Sequence, residues 1–344
     1  FGHGHPYLLE KLQQQAARLW HCSNQFVTPQ LEEFSQRLVD ATFADSIFFC
    51  SSGTEAVEAG IKFMRRYHYE TGAPYRHRII TFEGGFHGRT YGGISAGGND
   101  FARAGFGQLL NGFDRVPLND IEAVRRAIGK NTAGILIEPI QGEGGVQLAD
   151  LEFLRQLRAL CDAEGILLMC DEVQCGYGRP GSLFAHQLAG ITPDIASSAK
   201  GIGGGFPLGA TLLTERVASA IPAGSHGGTY NNNPLAMAVG NAVLDLVLEE
   251  GLFPHVTRMG TALVNGLRTL QERYPDTIRD VRGTGLMIGL EPTGDARAIA
   301  AALLEEGLVT SPTVTGVLRL VPPLIITEAH VEEALGIIEN VIKT

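Results

Sequence analysis

Asp171 stands directly behind the apolar run "GILLMC", and Lys200 closes the next strand-like run, "DIASSAK". A carboxylate at the end of a buried strand needs a partner to stay ionised. Lys200 is flanked by small and apolar residues and by the turn "GIGGGFPLG", which predicts a buried amine. Such a lysine can form a Schiff base with a carbonyl. If both runs are strands of one sheet, both side chains emerge at one rim. A lysine amine and a carboxylate facing a cationic ring nitrogen together fit pyridoxal phosphate, whose protonated pyridine is an electron sink. Asp171 is therefore expected to face a cofactor pyridinium, the alternative being a helix N-cap.

A phosphate-bearing cofactor also needs an anion cradle. In "SSGTEA" a strand ends at Cys50, and Gly53 and Thr54 open a helix whose apolar positions Val57, Ile61 and Met64 keep helical spacing. Free N–H groups and the positive dipole end suit a phosphate there, although an N-cap alone would explain the pattern. The segment is not a Walker loop, and "GIGGGFPLG" does not supply GxGxxG between a strand and a helix, so a nicotinamide or flavin site is poorly supported. His3, His5, His21 and Cys22 lack the spacing of a metal centre, and no metal is expected.

The elements that would position these residues follow from periodicity. Apolar runs at "SIFFC", "RIITF", "AGILIEPI", "GILLMCDE", "DIASSAK" and "GATLLT" alternate with helix-period stretches at 54–70, 151–164 and 182–189. Such alternation predicts a mostly parallel sheet covered by helices. Its ligands belong at the carboxyl ends of the strands, where 51–56, 83–90, 138–145, 171–174 and 199–209 would crowd one rim. After "NNNPLA" come helices near 233–250, 257–274 and 328–342 with the apolar runs "GLMIGLE" and "VLRLVPPL". They read as a smaller α+β C-terminal domain. The divisions expected are an N-terminal segment at 1–40, a large cofactor domain at 41–235, and a linking helix with the small domain at 236–344.

The 344 residues are 44% hydrophobic and 19% charged, ordinary for a globular protein. No apolar run approaches the roughly 18 residues of a membrane span, so no membrane is expected. A formal net charge of -10 argues against nucleic acid as a partner. Five scattered cysteines without a CxxC pair suit a reducing, cytoplasmic compartment.

"FFCSSGTEAVEAGIKF", "FHGRT", "PIQGEGGV", "DEVQCGYGR", "AKGIGGGFPLGA", "HGGTYNNNPLA" and "LRLVPPLIIT" resemble, in order and spacing, the class III pyridoxal-phosphate aminotransferases over essentially the whole chain. The likeness is greatest to the acetylornithine aminotransferases. It implies the fold type I of pyridoxal-phosphate-dependent transferases, with transfer of the δ-amino group of N2-acetyl-L-ornithine to 2-oxoglutarate. The products would be N-acetyl-L-glutamate 5-semialdehyde and L-glutamate, a step of arginine biosynthesis. The chain begins "FGHGHP", and the resemblance implies that the family's first segment lies ahead of it.

Carried over by position, the resemblance implies that Lys200 holds the cofactor and then carries the proton. Asp171 would pair with the ring nitrogen, Gln174 would bond the ring hydroxyl, and Phe86 would stack on the ring. Gly53 and Thr54 would cradle the phosphate with Thr229 from the other subunit of a homodimer with shared sites. Arg89 would bind the α-carboxylate of acetylornithine and Arg319 that of glutamate or 2-oxoglutarate, with Glu143 screening Arg319 in turn. Arginine forks suit carboxylates. Apart from the family, Arg319 could be a surface residue and Phe86 a core aromatic. His87 is read as packing or hydrogen-bonding near the ring and not as catalytic.

The chain departs from the family at Gly228, where a substrate-touching serine is common, at Asn231 and Asn232, where glycines are usual, and at Pro180, where threonine is usual. The alternatives are a class III enzyme for succinylornithine, ornithine or 4-aminobutyrate, and a non-enzymatic cofactor-binding sensor.

Overall fold

The computed structural model describes residues 1–343. Seven runs build one sheet: β1 (Ser46–Cys50), β2 (Arg78–Phe82), β3 (Phe113–Val116), β4 (Thr132–Ile137), β5 (Leu167–Asp171), β6 (Ile195–Ser198) and β7 (Gly209–Leu213). Their order is β1-β7-β6-β5-β4-β2-β3. Only β7 runs against the rest, pairing antiparallel with β1 and β6, so the sheet is mostly parallel. Every residue of β4, β5, β6 and β7 is buried. Burial on both faces is why these strands read as continuous apolar runs.

Successive strand side chains point to opposite faces and meet different helices. Ile79, Leu136 and Met169 pack with α3 (Gly53–Glu70), whereas Ile80, Ile135, Ile137 and Leu168 pack with α4 (Leu151–Glu164). At the other edge, α1 (Pro6–Ala16), α2 (Pro29–Ala41) and α5 (Pro234–Val247) cover β1 and β7 through Phe34, Leu38, Phe49, Leu212 and Val243. α5 is apolar nearly all round because most of its surface is covered, with Asp245 at its exposed edge.

A second sheet, wholly antiparallel, follows α6 (Leu252–Arg273). It comprises β8 (Ile278–Thr284), β9 (Met287–Pro292), β10 (Ser311–Pro312) and β11 (Leu318–Leu320) in the order β8-β9-β11-β10. α6, α7 (Ala296–Glu305) and α8 (Glu328–Ile342) bury its apolar side. Arg179 ties the two parts together, donating through Nη1 to Leu286 O at 2.9 Å and Pro322 O at 2.8 Å.

The segments that escaped the periodicity reading are short, polar or edge-placed. β3 is a half-exposed edge strand carrying Asp114 and Arg115, and Asp114 is paired by Arg78 Nε at 2.8 Å. β8 alternates buried Ile278 and Val281 with charged residues. The stretch at 182–189 forms only a 3-10 turn at Ala185–Ala189. β6 stops at Ser198, so Lys200 begins a short 3-10 turn beyond the strand instead of closing it.

Gly134 of β4 lies against β5, where a Cβ would press into the carbonyl oxygen of Leu167 and Met64 Sδ. Gly134→Ala should lower stability by about 1–3 kcal/mol, the usual cost of overpacking a tight core. Gly336→Ala, in open space on α8, should instead stabilise by about 0.5–1 kcal/mol. Urea unfolding of the two variants beside the parent checks both signs.

Candidate active site

Asp171 ends β5, the middle strand of the sheet, and pairs across to Ser197 of β6. Its carboxylate is buried but amply supplied with donors. Oδ1 accepts from Val173 N at 3.1 Å and Ser197 Oγ at 3.3 Å, and Oδ2 accepts from His87 Nδ1 at 2.9 Å. Burial opposes a charge on His87, but the hydrogen bond and charge of Asp171, with Glu138 adding, outweigh it and hold its pKa above the ordinary range. The floor of the site is a buried carboxylate–imidazole pair.

Glu138, just beyond β4, contributes a second buried acid. Its Oε1 accepts from Phe86 N at 2.7 Å, which holds the backbone under the Phe86 ring. Burial pushes its pKa up to about 7, and Asp171 adds to the rise while His87, the Phe86 N–H and Lys200 oppose it. "EPIQGEGG" places this acid behind an apolar run in the way that "DEVQ" places Asp171, so the signal was present in the sequence and not used. His87 is likewise an integral part of the floor, and the hydrogen bond expected of it near the ring is made to Asp171.

Lys200 is not buried, as its neighbours in sequence suggested, but exposed within the open site. The surrounding walls still desolvate it and lower its pKa, with Arg319 adding and with Asp171, Glu138 and Glu143 opposing. Its φ of 47° is unusual for a residue with a side chain, a local strain of about 1–2 kcal/mol that presents the amine at the rim.

A cavity of about 430 Å³ opens above this floor, lined by Gly53, Thr54, Phe86, Arg89, Asp171, Gln174 and Lys200, together with Ser51, Ser52, His87, Glu138 and Val173. All five rim segments contribute to it. One end is the start of α3. There Ser52 Oγ accepts from Glu55 N at 3.4 Å, and Glu55 Oε2 accepts from Ser51 N at 3.0 Å, which rigidifies the helix entry. Thr54 Oγ1 accepts from Arg89 N at 3.3 Å and Thr90 N at 3.4 Å, so the 83–90 loop is fastened to the same helix end. Gly88, with φ of 104°, passes so close to Thr54 that a Cβ would collide with its side chain.

Arg319 of β11 reaches the cavity edge from the second sheet. Its Nη1 donates to Glu143 Oε1 at 2.6 Å and to Gln174 Oε1 at 2.9 Å, and its Nη2 donates to Ser311 Oγ at 3.1 Å. Burial disfavours charge on Glu143, but Arg319 more than compensates and holds its carboxyl below the usual range. Arg89 is exposed at the mouth, its guanidinium 5.5 Å from the Phe86 ring centre. Gly228 and Thr229 are not brought into this cavity. They sit on the 222–233 loop, where Thr229 is exposed and Gly228 O accepts from Asn24 Nδ2 at 2.7 Å.

The family profile "Aminotransferase class-III" matches residues 1–342. The chain belongs to the class-III aminotransferases. Among curated relatives, acetylornithine aminotransferase of Mesorhizobium japonicum is 51% identical over 335 residues, covering 97% of this chain and 84% of the relative. Acetylornithine aminotransferase 1 of Bradyrhizobium diazoefficiens is 51% identical over 342 residues, covering 98% and 84%. Among solved structures, N-acetylornithine aminotransferase of Stenotrophomonas maltophilia has a TM-score of 0.86 at 37% identity, covering 99% of this chain and 87% of that one. A PLP-bound amine transaminase from an uncultivated Pseudomonas species has 0.94 at 30%, covering 99% and 87%. The fold is thus type I of the pyridoxal-phosphate transferases, and this class-III aminotransferase is an enzyme whose cofactor is pyridoxal phosphate.

The residues present fit that cofactor. A helix entry with free N–H groups suits a phosphate. A carboxylate with about four acceptor sites keeps one for a ring N–H after three donors are counted. The exposed Lys200 amine between these ends suits an aldehyde. Among the described residues no cluster suited to a metal ion occurs.

Glu138 should remain protonated well above the ordinary carboxylate range. In the cofactor-free protein, difference infrared spectra should show a protonated-carboxyl band that disappears as pH rises through about 7 and that Glu138→Gln removes. The native chain keeps this proton where the unfolded chain has released it, so the Glu138 contribution to stability falls as pH rises across that window. Loss of the band already near pH 4, the ordinary range of about 4.3, would contradict the burial argument.

Proposed function

We propose that this aminotransferase moves the δ-amino group of N2-acetyl-L-ornithine to 2-oxoglutarate, producing N-acetyl-L-glutamate 5-semialdehyde and L-glutamate, as in arginine biosynthesis. One observation carries the substrate class. Arg89 lines the cavity and Arg319 is bonded to the lining residue Gln174; Arg319 is already neutralised by Glu143 at 2.6 Å, while Arg89 makes no ion pair among the described residues. An amine donor whose carboxylate is far from its reacting nitrogen would use Arg89, leaving Arg319 covered. Glutamate, whose amine and α-carboxylate share one carbon, would draw Arg319 away from Glu143. The names of the relatives at 51% identity support the same substrate.

Pyridoxal phosphate, when bound, supplies the aldehyde that receives the amino group and the pyridinium that withdraws electrons from the C–H bond being broken. Everything else falls to the chain. Lys200 Nζ would hold the cofactor and, once displaced, take the proton from the amine-bearing carbon and deliver it to the former aldehyde carbon. Its lowered pKa raises the free-base fraction needed for that role. Asp171, supported by His87, would keep the ring nitrogen protonated. Gln174 has its oxygen engaged by Arg319 and one amide N–H directed to Glu143, which leaves its second N–H to donate to the ring hydroxyl. Phe86 would stack on the ring. Gly53 and Thr54 would hold the phosphate by backbone N–H groups, completed by Thr229 of a second copy of the chain in a homodimer. Gly228 beside it would border the substrate.

Four of the five cysteines are buried and all five are free, which favours a reducing compartment, the cytoplasm. Organisation into an N-terminal segment at 1–40, a cofactor domain at 41–235 and a C-terminal part at 236–344 belongs to the same reading.

Removing a charge-assisted contact to a carboxylate costs about 1.5–3 kcal/mol, or roughly 10- to 150-fold. Arg319→Ala should slow the half-reaction with glutamate by that factor and spare the one with acetylornithine, and Arg89→Ala should do the reverse. Single-turnover cofactor absorbance with each amine reads both. Equal losses for both variants would dismiss the division of labour, and a parent enzyme fast with 4-aminobutyrate but inert to acetylornithine would overturn the substrate.

A further inference from the structure

We propose that His226 is a positioning residue that clamps the 222–233 loop onto α3 and β1, and that protonation of its imidazole releases the clamp. The other anchors of the loop lie at its far end, where Gly228 O accepts from Asn24 Nδ2 at 2.7 Å and the Tyr230 ring meets His21 at 5.0 Å between centres. Residues 222–225, 227, 229 and 230 are all exposed, and His226 is the side chain that turns inward between them. Its ring stacks on Phe48 of β1 at 4.9 Å between centres and 25° between planes, and meets Phe63 of α3 edge-on at 5.6 Å. Its Nδ1 lies 2.8 Å from Lys62 Nζ of α3. An ammonium has only donors, so Nδ1 must accept and the ring proton must sit on Nε2. The neutral imidazole is therefore part of the clamp.

A second proton would remove the acceptor and set two cations side by side. The charged groups that face the ring are Lys62, Glu58 and Glu55, all on α3, and β1 offers only the Phe48 ring. Burial, with Lys62 adding, lowers the His226 pKa, and the two glutamates oppose this only in part. The folded chain then binds this proton less readily than the unfolded chain. The stabilisation is complete above the unfolded pKa of about 6.5 and is lost as pH falls below it. Thr229 is three residues along the same loop, so the clamp sets where that hydroxyl is presented. This last consequence rests on the reading that Thr229 completes a neighbouring copy's phosphate site.

The test is hydrogen–deuterium exchange on the cofactor-loaded enzyme, comparing protection factors of the 222–233 segment at about pH 5.5 and about pH 7.5, on either side of the ordinary histidine pKa. In the parent, protection should fall about tenfold more on acidification than in the β1 segment, the effect of losing one hydrogen bond and gaining a repulsion. His226→Phe keeps the ring contacts without a titrating group and should abolish that extra fall. His226→Ala should lower protection at both pH values. A parent loop equally protected at both, or a His226→Ala loop as protected as the parent, would refute the clamp. Mixed dimers of Lys200→Ala and Thr229→Ala chains separate the two ideas. Recovered activity supports the shared site, and absent recovery with the exchange results intact removes the shared site while the clamp stands.

Discussion

Taking the Asp171 carboxylate out of water at the centre of the sheet is the constraint around which the site is built, because a charge buried there must be met by fixed donors. Each of its three donors accounts for a different part of the chain. Val173 N–H requires the tight "DEVQ" turn after β5. Ser197 Oγ requires the parallel register in which Asp171 faces Ser197, and that register brings Lys200 out at the same rim. His87 requires the glycine-rich 83–90 loop to fold back over the strand ends. The loop can do so because Gly84 and Gly88 take positive φ and because its backbone is fastened by Glu138 and Thr54.

The same enclosure orders the charges of the site. Glu138 and Lys200 are each driven toward their neutral forms by desolvation, while His87 is driven toward its charged form by Asp171. Perturbation in opposite directions within one cavity marks a site that handles protons. The entry of α3 and the guanidinium groups of Arg89 and Arg319 supply local positive character in a chain of net charge -10.

The second sheet meets the site through polar bridges, one of them Arg282 Nε donating to Gly145 O at 2.9 Å. Arg319 projects from β11 to Glu143 and Gln174, whose backbones belong to the rim of the first sheet, and Arg179 returns the connection through two carbonyls near β9 and β11. These bridges are made by guanidinium groups, whose several rigid donors can join separate segments at once. The geometry of Arg319 is thus a property of how the two parts are packed, and a small displacement between them would alter it directly.

Much of this was legible before any fold. "GILLMC" followed by Asp171, "SIFFC" followed by Gly53 and Thr54, and "DIASSAK" with Lys200 each couple a buried strand to a polar residue at its end, because enclosed parallel strands must be continuously apolar and can change character only at the rim. β3 and β8 were not legible, since half-exposed strands with charged residues lack that contrast. The accessibility of Lys200, the pairing of His87 with Asp171 and the neutral-range Glu138 were decided by the tertiary structure alone. Each depends on which distant groups share a low-dielectric space and at what distance, and neither quantity is a function of local sequence.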